Sequence, residues 1–297
     1  MKASIIAMAV AVLAVAACGN RDKDYDATGT FEATEVTVSA EQNGKLLRFD
    51  VSEGSILRAG QQAGLIDTVQ LYLKALQIGA SKEVYARQRP DVQKQAAALR
   101  QQLAKAEQEQ ARFAALVKDG AANRKQLDDA NSQVQVIRRQ LEALLSSLDN
   151  STQSLNAQMS TADIQRHQVA DLLAKCRVVA PITGTVLEKY TEAGEYAVVG
   201  KPLFKMADTE HMFIRAYITS AQLKNVKMGQ KVKVFADYGN GERRQYGGTV
   251  AWISERSEFT PKTILTADER ADLVYAVKIA VKNDGYIKIG MYGEVKL

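Results

Sequence analysis

Between Val69 and Cys176 an apolar residue returns every seven positions, and no other feature constrains the fold of this 297-residue chain so tightly. In the second half of the stretch the row reads Leu127, Val134, Leu141, Leu148, Leu155, Ala162, Val169 and Cys176. A companion row three residues on starts Ala130, Ile137, Leu144, turns polar at Ser151, Gln158 and Gln165, and returns to Leu172. In the first half the row is Leu71, Ile78, Tyr85, Val92, Leu99, Ala106 and Phe113. A sustained seven-residue period describes a helix that buries one narrow seam against another helix and supercoils left-handedly.

One turn signal divides the stretch, Lys118-Asp119-Gly120-Ala121-Ala122-Asn123. Gly120 can adopt the left-handed conformation that ends a helix. Asn123 followed by Gln126 reads as an N-cap with its capping-box partner. The expectation is an antiparallel pair of helices spanning 69–176, each roughly 50 residues and about 75 Å long. Pro90 removes one backbone donor inside the first arm. Because the seven-residue phase continues across it, the spacing predicts a kink rather than a separate third helix.

Composition narrows the function. A net charge of +5 is spread over 39 basic and 34 acidic residues without a clustered basic face, which excludes a nucleic-acid partner. Two histidines and two cysteines, far apart, offer no metal-ligand spacing, and nothing implies a cofactor. So thin a chemical inventory points to a scaffold rather than an enzyme.

Met1-Lys2 and the uncharged apolar run from Ile5 to Ala17 are too short to span a bilayer and fit an export signal over 1–17. The run closes on Val15-Ala16-Ala17-Cys18, which resembles the lipobox of bacterial lipoproteins. That resemblance implies cleavage before Cys18 and acylation of it, and two or more acyl chains hold a protein stably at a membrane. The expected location is periplasmic with a lipid anchor, and the inner membrane is the favoured one. Gly19-Asn20 lacks the aspartate that retains some lipoproteins there, so these residues leave the choice open. Cys176 is then unpaired and reads as a small apolar residue at the foot of the second helix.

The segments flanking the helices repeat one another. Ser39 to Gly44 has its counterpart in Val179 to Gly184, and the same offset pairs Gly54 with Gly194 and Gly60 with Gly200. With a slip of one residue, Ile66-Asp67-Thr68 pairs with Ala207-Asp208-Thr209. Glycines in register between short β-rich runs mark the turns of a duplicated strand unit. From Glu210 onward the period is two: strands are expected at Met212–Ile218, Gly229–Phe235, Gly248–Ile253, Val274–Val281 and Gly290–Val295, with a helical turn from Ser220 and a hairpin turn at Asp237–Glu242. Short strands with regular turns suggest a small closed barrel.

The paired halves resemble a lipoyl/biotinyl hammerhead split open to admit the helices. A carrier lysine would sit at the turn that the helices occupy. Lys205-Met206 has the biotin-site order reversed and falls on a strand position. A split lipoyl unit, an inserted coiled coil and an exported N-terminus together resemble the HlyD-type membrane fusion proteins, the periplasmic adaptors of efflux and secretion systems. The resemblance implies an elongated α+β fold: anchor linker 18–30, lipoyl-like β-sandwich 31–68 with 177–209, antiparallel coiled-coil α-hairpin 69–176, β-barrel 210–297. It also implies a ring of six copies joining an inner-membrane transporter to an outer-membrane channel. Channel-docking adaptors carry Arg-x3-Leu-x6-Ser around the hairpin turn, where this chain has Arg112, Leu116 and Asn123. The run Glu258-Phe259-Thr260-Pro261-Lys262 resembles the adaptors that partner ABC-2 type ABC exporters. Phe259, Pro261 and Lys262 are thus candidate contacts to the transporter or a neighbouring copy, or else a loop across the barrel mouth. Two other readings stand beside this one: a lipoyl- or biotinyl-carrier subunit, and an envelope lipoprotein whose coiled coil binds a partner without transport.

Overall fold

The computed structural model describes residues 25–239, 242–258 and 274–297; the expected export signal, Cys18, Phe259, Pro261 and Lys262 lie outside these. Strands β1 (Ala27–Ser39), β2 (Gly44–Phe49), β3 (Ile56–Leu57) and β4 (Gln62–Ile66) precede helices α1 (Val69–Arg87), α2 (Val92–Lys118) and α3 (Arg124–Lys175). Then follow β5 (Arg177–Val179), β6 (Gly184–Lys189), β7 (Tyr196–Ala197), β8 (Pro202–Thr219), α4 (Ser220–Leu223), β9 (Lys231–Asp237), β10 (Arg243–Glu258), β11 (Val274–Lys282) and β12 (Tyr292–Lys296).

The duplication is visible bond by bond. Gly54 N donates to Val186 O at 2.8 Å, and its counterpart in the second half, Gly194 N, donates to Leu46 O at 2.7 Å. Gly60 N to Ala180 O (2.8 Å) is likewise matched by Gly200 N to Ala40 O (2.8 Å). Ala180 N to Gln61 O (2.9 Å) is matched by Ala40 N to Lys201 O (2.9 Å). Each bond runs from one half to the other, so the halves are interlocked about a pseudo-twofold axis rather than laid side by side. Gly54, Gly60, Gly194 and Gly200 all take left-handed φ, between 78° and 98°. Gly44 and Gly184 open equivalent strands, packed against Ile66 and the Ala207 carbonyl respectively.

The result is a sandwich of two sheets, one holding β3, β6, β8 and the second half of β1, the other ordered β5-β4-β2-β7. Its core contains Leu46, Ile66, Val186, Leu203, Phe204 and Met206, none more than 1% exposed. Six strands, β1-β12-β9-β10-β11-β8, form the second body, and β8 pairs back onto β1 to close a barrel. Along β8 the alternate residues Met212, Ile214, Ala216 and Ile218 are buried in it, as an in-out strand requires. Each large aliphatic side chain so buried contributes about 1.5–3 kcal/mol.

The structure moves two of the expected boundaries. Residues 27–30, placed in the anchor linker, belong to β1 and pair with β12 and β8, and Phe31 is buried in the barrel core. Nor does the barrel begin afresh at 210, because β1 and β8 run through both bodies as one antiparallel ribbon. The polar run Asp208-Thr209-Glu210-His211, which resembles a turn in sequence, is a bulge between the pairs Thr34↔Asp208 and Ala33↔Met212. The Asp208 carboxylate accepts from the backbone of Glu210 (3.1 Å) and His211 (3.0 Å) and staples it. Buried Asn283 donates to Thr209 O at 2.8 Å, tying the loop between β11 and β12 to the same point.

At Gly184 an added Cβ would stand 2.2 Å from the Ala207 carbonyl oxygen, a backbone atom that cannot swing away. Gly184→Ala is therefore expected to lower stability by about 1–3 kcal/mol in urea titration. Gly247→Ala, with nothing within 4 Å of its new methyl, is the control expected to leave the midpoint near the parent value.

Candidate functional site at the hairpin tip

The 52-residue helix α3 runs unbroken, and α1 and α2 lie end to end along it. The expected kink at Pro90 is a break instead. α1 ends at Arg87, and α2 starts at Val92 with Asp91 as N-cap, its carboxylate accepting from Lys94 N at 3.1 Å. Proline supplies no N–H and pushes the residue before it out of the helical region. An aspartate directly behind it makes a fresh N-terminus more favourable than a strained bend. Register nevertheless survives the break. Lys82 pairs with Asp163 (2.8 Å) and Glu107 with Arg138 (2.9 Å), so the step outward from Lys82 to Glu107 equals the step back from Arg138 to Asp163. The seven-residue phase reports that residue count and is blind to the missing hydrogen bonds.

The seam follows the apolar rows. Val134, Ile137, Leu148, Leu155, Ala162 and Val169 of α3 are buried, with Ile78 of α1 and Ala96 of α2. Where the companion row is polar, Ser151, Gln158 and Gln165 are exposed, and the seam thins to one row. At its foot Cys176 is fully buried, and that burial pushes its thiol pKa up, consistent with an inert packing residue.

Gly120, with φ 72°, closes the outer end. Ala121 N donates to Leu116 O (2.8 Å) and Gly120 N to Val117 O (3.2 Å), the paired bonds of a Schellman cap on α2. Asn123 then starts α3, its side-chain oxygen accepting from Lys125 N (3.1 Å) while Gln126 reaches back to Asn123 N (3.2 Å). Arg112 and Leu116 stand one turn apart on α2, both solvent-accessible, and Arg112 pairs with Glu109 (2.6 Å) and lies over the Phe113 ring. Asn123 uses its side-chain oxygen in the cap, whereas Arg112, ion-paired as it is, and Leu116 both keep exposed surface near the tip. Sequence reasoning missed the open groove of about 750 Å³ just below, between α2 and α3, lined by Lys105, Glu109, Phe113, Asp129, Val136 and Ile137 among others. The off-row apolar Val136 was the one signal available for it. Lys205 lies within β8 with its ammonium paired to Glu35, no place for a carrier lysine.

Residues 34–209, more than half of the chain, match the family described as RND MFP, barrel-sandwich hybrid domain. The chain belongs to the membrane fusion protein family. Membrane fusion proteins are adaptors rather than enzymes, and they work in the periplasm with membrane transport systems. A UPF0194 membrane protein from Citrobacter koseri is 27% identical to this one over 98% of this chain and 96% of its own length. The UPF0194 membrane protein YbhG of Salmonella gallinarum is 28% identical over 99% and 97%. Among solved structures, MacA from Actinobacillus actinomycetemcomitans shares the fold, with a TM-score of 0.54 and 20% identity over 91% of this chain and 76% of that one. Among the described residues of this membrane fusion protein no helix is long and apolar enough to cross a membrane.

The Lys82 ammonium, donating to both oxygens of Asp163, holds that carboxyl below the usual carboxylate range. A depressed folded-state pKa stabilises above the unfolded value of about 4 and loses that contribution as pH falls through the folded one. Asp163→Asn should therefore lower the urea midpoint at pH 6, and the gap from the parent should close as the pH falls below the ordinary carboxylate range.

Proposed function

We propose that this membrane fusion protein is the periplasmic adaptor of a tripartite export system, joining an inner-membrane ABC-type transporter to an outer-membrane channel. One observation supports it above the rest: a 52-residue helical rod rises from adjacent strands of a sandwich whose other end continues into a closed barrel. At 1.5 Å per residue that rod is about 78 Å long, a length that suits reaching across a compartment. In this reading the tip meets the channel through Arg112 and Leu116, with Asn123 shaping the turn. The barrel end meets the transporter, and six copies form the ring. The lipobox-like Val15-Ala16-Ala17-Cys18 supports a lipid anchor on Cys18, and the transporter-facing reading of the barrel favours the inner membrane for it. The ABC assignment rests on the run Glu258-Phe259-Thr260-Pro261-Lys262. No bond is made or broken; the work is sealing a conduit and passing transporter motion to the channel.

The test is photocrosslinking in cells from a photoreactive residue at Lys118, beside the turn, with mass spectrometry of the product. Capture of an outer-membrane channel protein is expected, with at least a tenfold loss of it in Arg112→Asp/Leu116→Ser. Capture undiminished in that variant removes the two residues from the docking role. Capture of no channel at all favours the partner-binding lipoprotein reading over transport.

A further inference from the structure

The six barrel strands alternate in direction, so the starts of β1, β9 and β11 and the ends of β8, β10 and β12 share the rim that faces away from the sandwich. Asp26 is fixed at that rim. Its N–H donates to Val295 O (2.8 Å), its carboxylate accepts from Leu297 N (2.8 Å), and its carbonyl accepts from the Gln222 side chain (2.7 Å). Fully extended, the chain between Cys18 and Asp26 can span at most about 28 Å. A lipid on Cys18 would therefore hold this rim close to a bilayer surface.

Beside Asp26 runs the connection from α4 to β9. Val226 is buried in the barrel core and Leu223 packs against it, while Lys224, Lys227, Met228 and Lys231 are exposed. The connection is held in shape: Gly229 N donates to Val250 O (2.8 Å), and the Gln230 side chain accepts from Lys227 N (3.0 Å). Met228, 63% exposed, is thus an apolar tip set among three lysines. None of the three ammonium groups meets a carboxylate among the described residues. The acids of the same rim are largely offset, since Glu258 pairs with Arg215 (2.8 Å), Asp26 accepts from Leu297, and exposed Glu255 adjoins exposed Arg256. Lysines around an exposed apolar side chain suit a surface that is anionic outside and apolar beneath.

We propose that the rim at Lys224, Lys227, Met228 and Lys231 rests on the anionic phospholipid surface of the membrane that holds the chain. The ammonium groups meet lipid phosphates and Met228 enters the headgroup layer. This orientation rests on the lipid-anchor reading of Cys18. The lipid tethers the chain, and the basic rim sets the barrel upright on the bilayer instead of leaving it to swing on its tether.

The test uses the full chain, extracted from membranes and reconstituted on vesicles of phosphatidylcholine alone or mixed equally with phosphatidylglycerol. A fluorophore is placed on Asn225→Cys at this rim or on Glu242→Cys at the other, Cys176 being buried. Lipids with a nitroxide on the headgroup should quench the residue-225 probe on mixed vesicles at least fivefold more than the residue-242 probe. On neutral vesicles, or in high salt, that excess should vanish. Lys224→Glu/Lys227→Glu/Lys231→Glu should remove it on mixed vesicles too, because each lysine at an anionic surface contributes about fivefold in occupancy. No excess quenching on mixed vesicles overturns the proposal and leaves the rim to a protein partner. Equal excess on neutral vesicles, or in the triple variant, also overturns it. Flotation separates the two readings. A chain that floats with neutral vesicles but shows no excess loses only the rim contact, and one that floats with mixed vesicles alone keeps the rim contact and loses the anchor.

Discussion

The arm depends on a few backbone hydrogen bonds at its base. β4 and β5 are antiparallel neighbours in one sheet, with Leu65 opposite Arg177, and Ile66 N donates to Cys176 O at 2.9 Å. The chain thus leaves the sandwich and returns to it on adjacent strands, with no gap for a loop to bridge. Closing a long insertion costs entropy that grows only as the logarithm of its length. Here even that is offset by the helices' own seam. Ile66 and Cys176 are fully buried at the joint and Leu71 packs against the same core, so the first helical turn is fixed to the sheet.

A similar continuity joins the other two bodies. β1 and β8 serve the sandwich with one half and the barrel with the other, so there is no flexible linker between them. The bulge at 209–211 is the one irregularity between those halves of β8, and side chains hold it from both directions: Asp208 within the strand, Asn283 from the barrel loop. A displacement of the barrel is carried to the sandwich along two covalent strands and their ladder. Such a layout suits a part that passes movement on.

Periodicity made much of this legible. The rows from Leu127 to Cys176, the turn at Gly120 and the glycine pairs at a fixed offset are local patterns, and the hydrogen bonds follow them. What escaped was set by distant partners or by groups with no periodic mark. Residues 27–30 read as linker because Ala-Thr-Gly-Thr has no apolar alternation, yet they form a strand with residues 292–295, almost the whole chain away. The bulge in β8 looked like a domain boundary because its polar residues satisfy their own backbone. Pro90 illustrates a subtler limit, since an unbroken phase fixes how many residues lie along the seam and not whether a helix spans them. Tip chemistry was half legible: Asn123 was read both as a cap and as a docking group, and its hydrogen bonds show the cap.

The interlocked halves have a consequence for biosynthesis. Every sheet needs strands from before and after the arm, so the first four strands emerge from the ribosome with unfinished edges. They wait through the whole length of the helical arm before their complements exist. The two arms contact each other locally and can zip together early, whereas the β-pairings close late across a long stretch of sequence. Zipping of the helical insertion from its tip brings both feet together, and with them the second set of strands to the first.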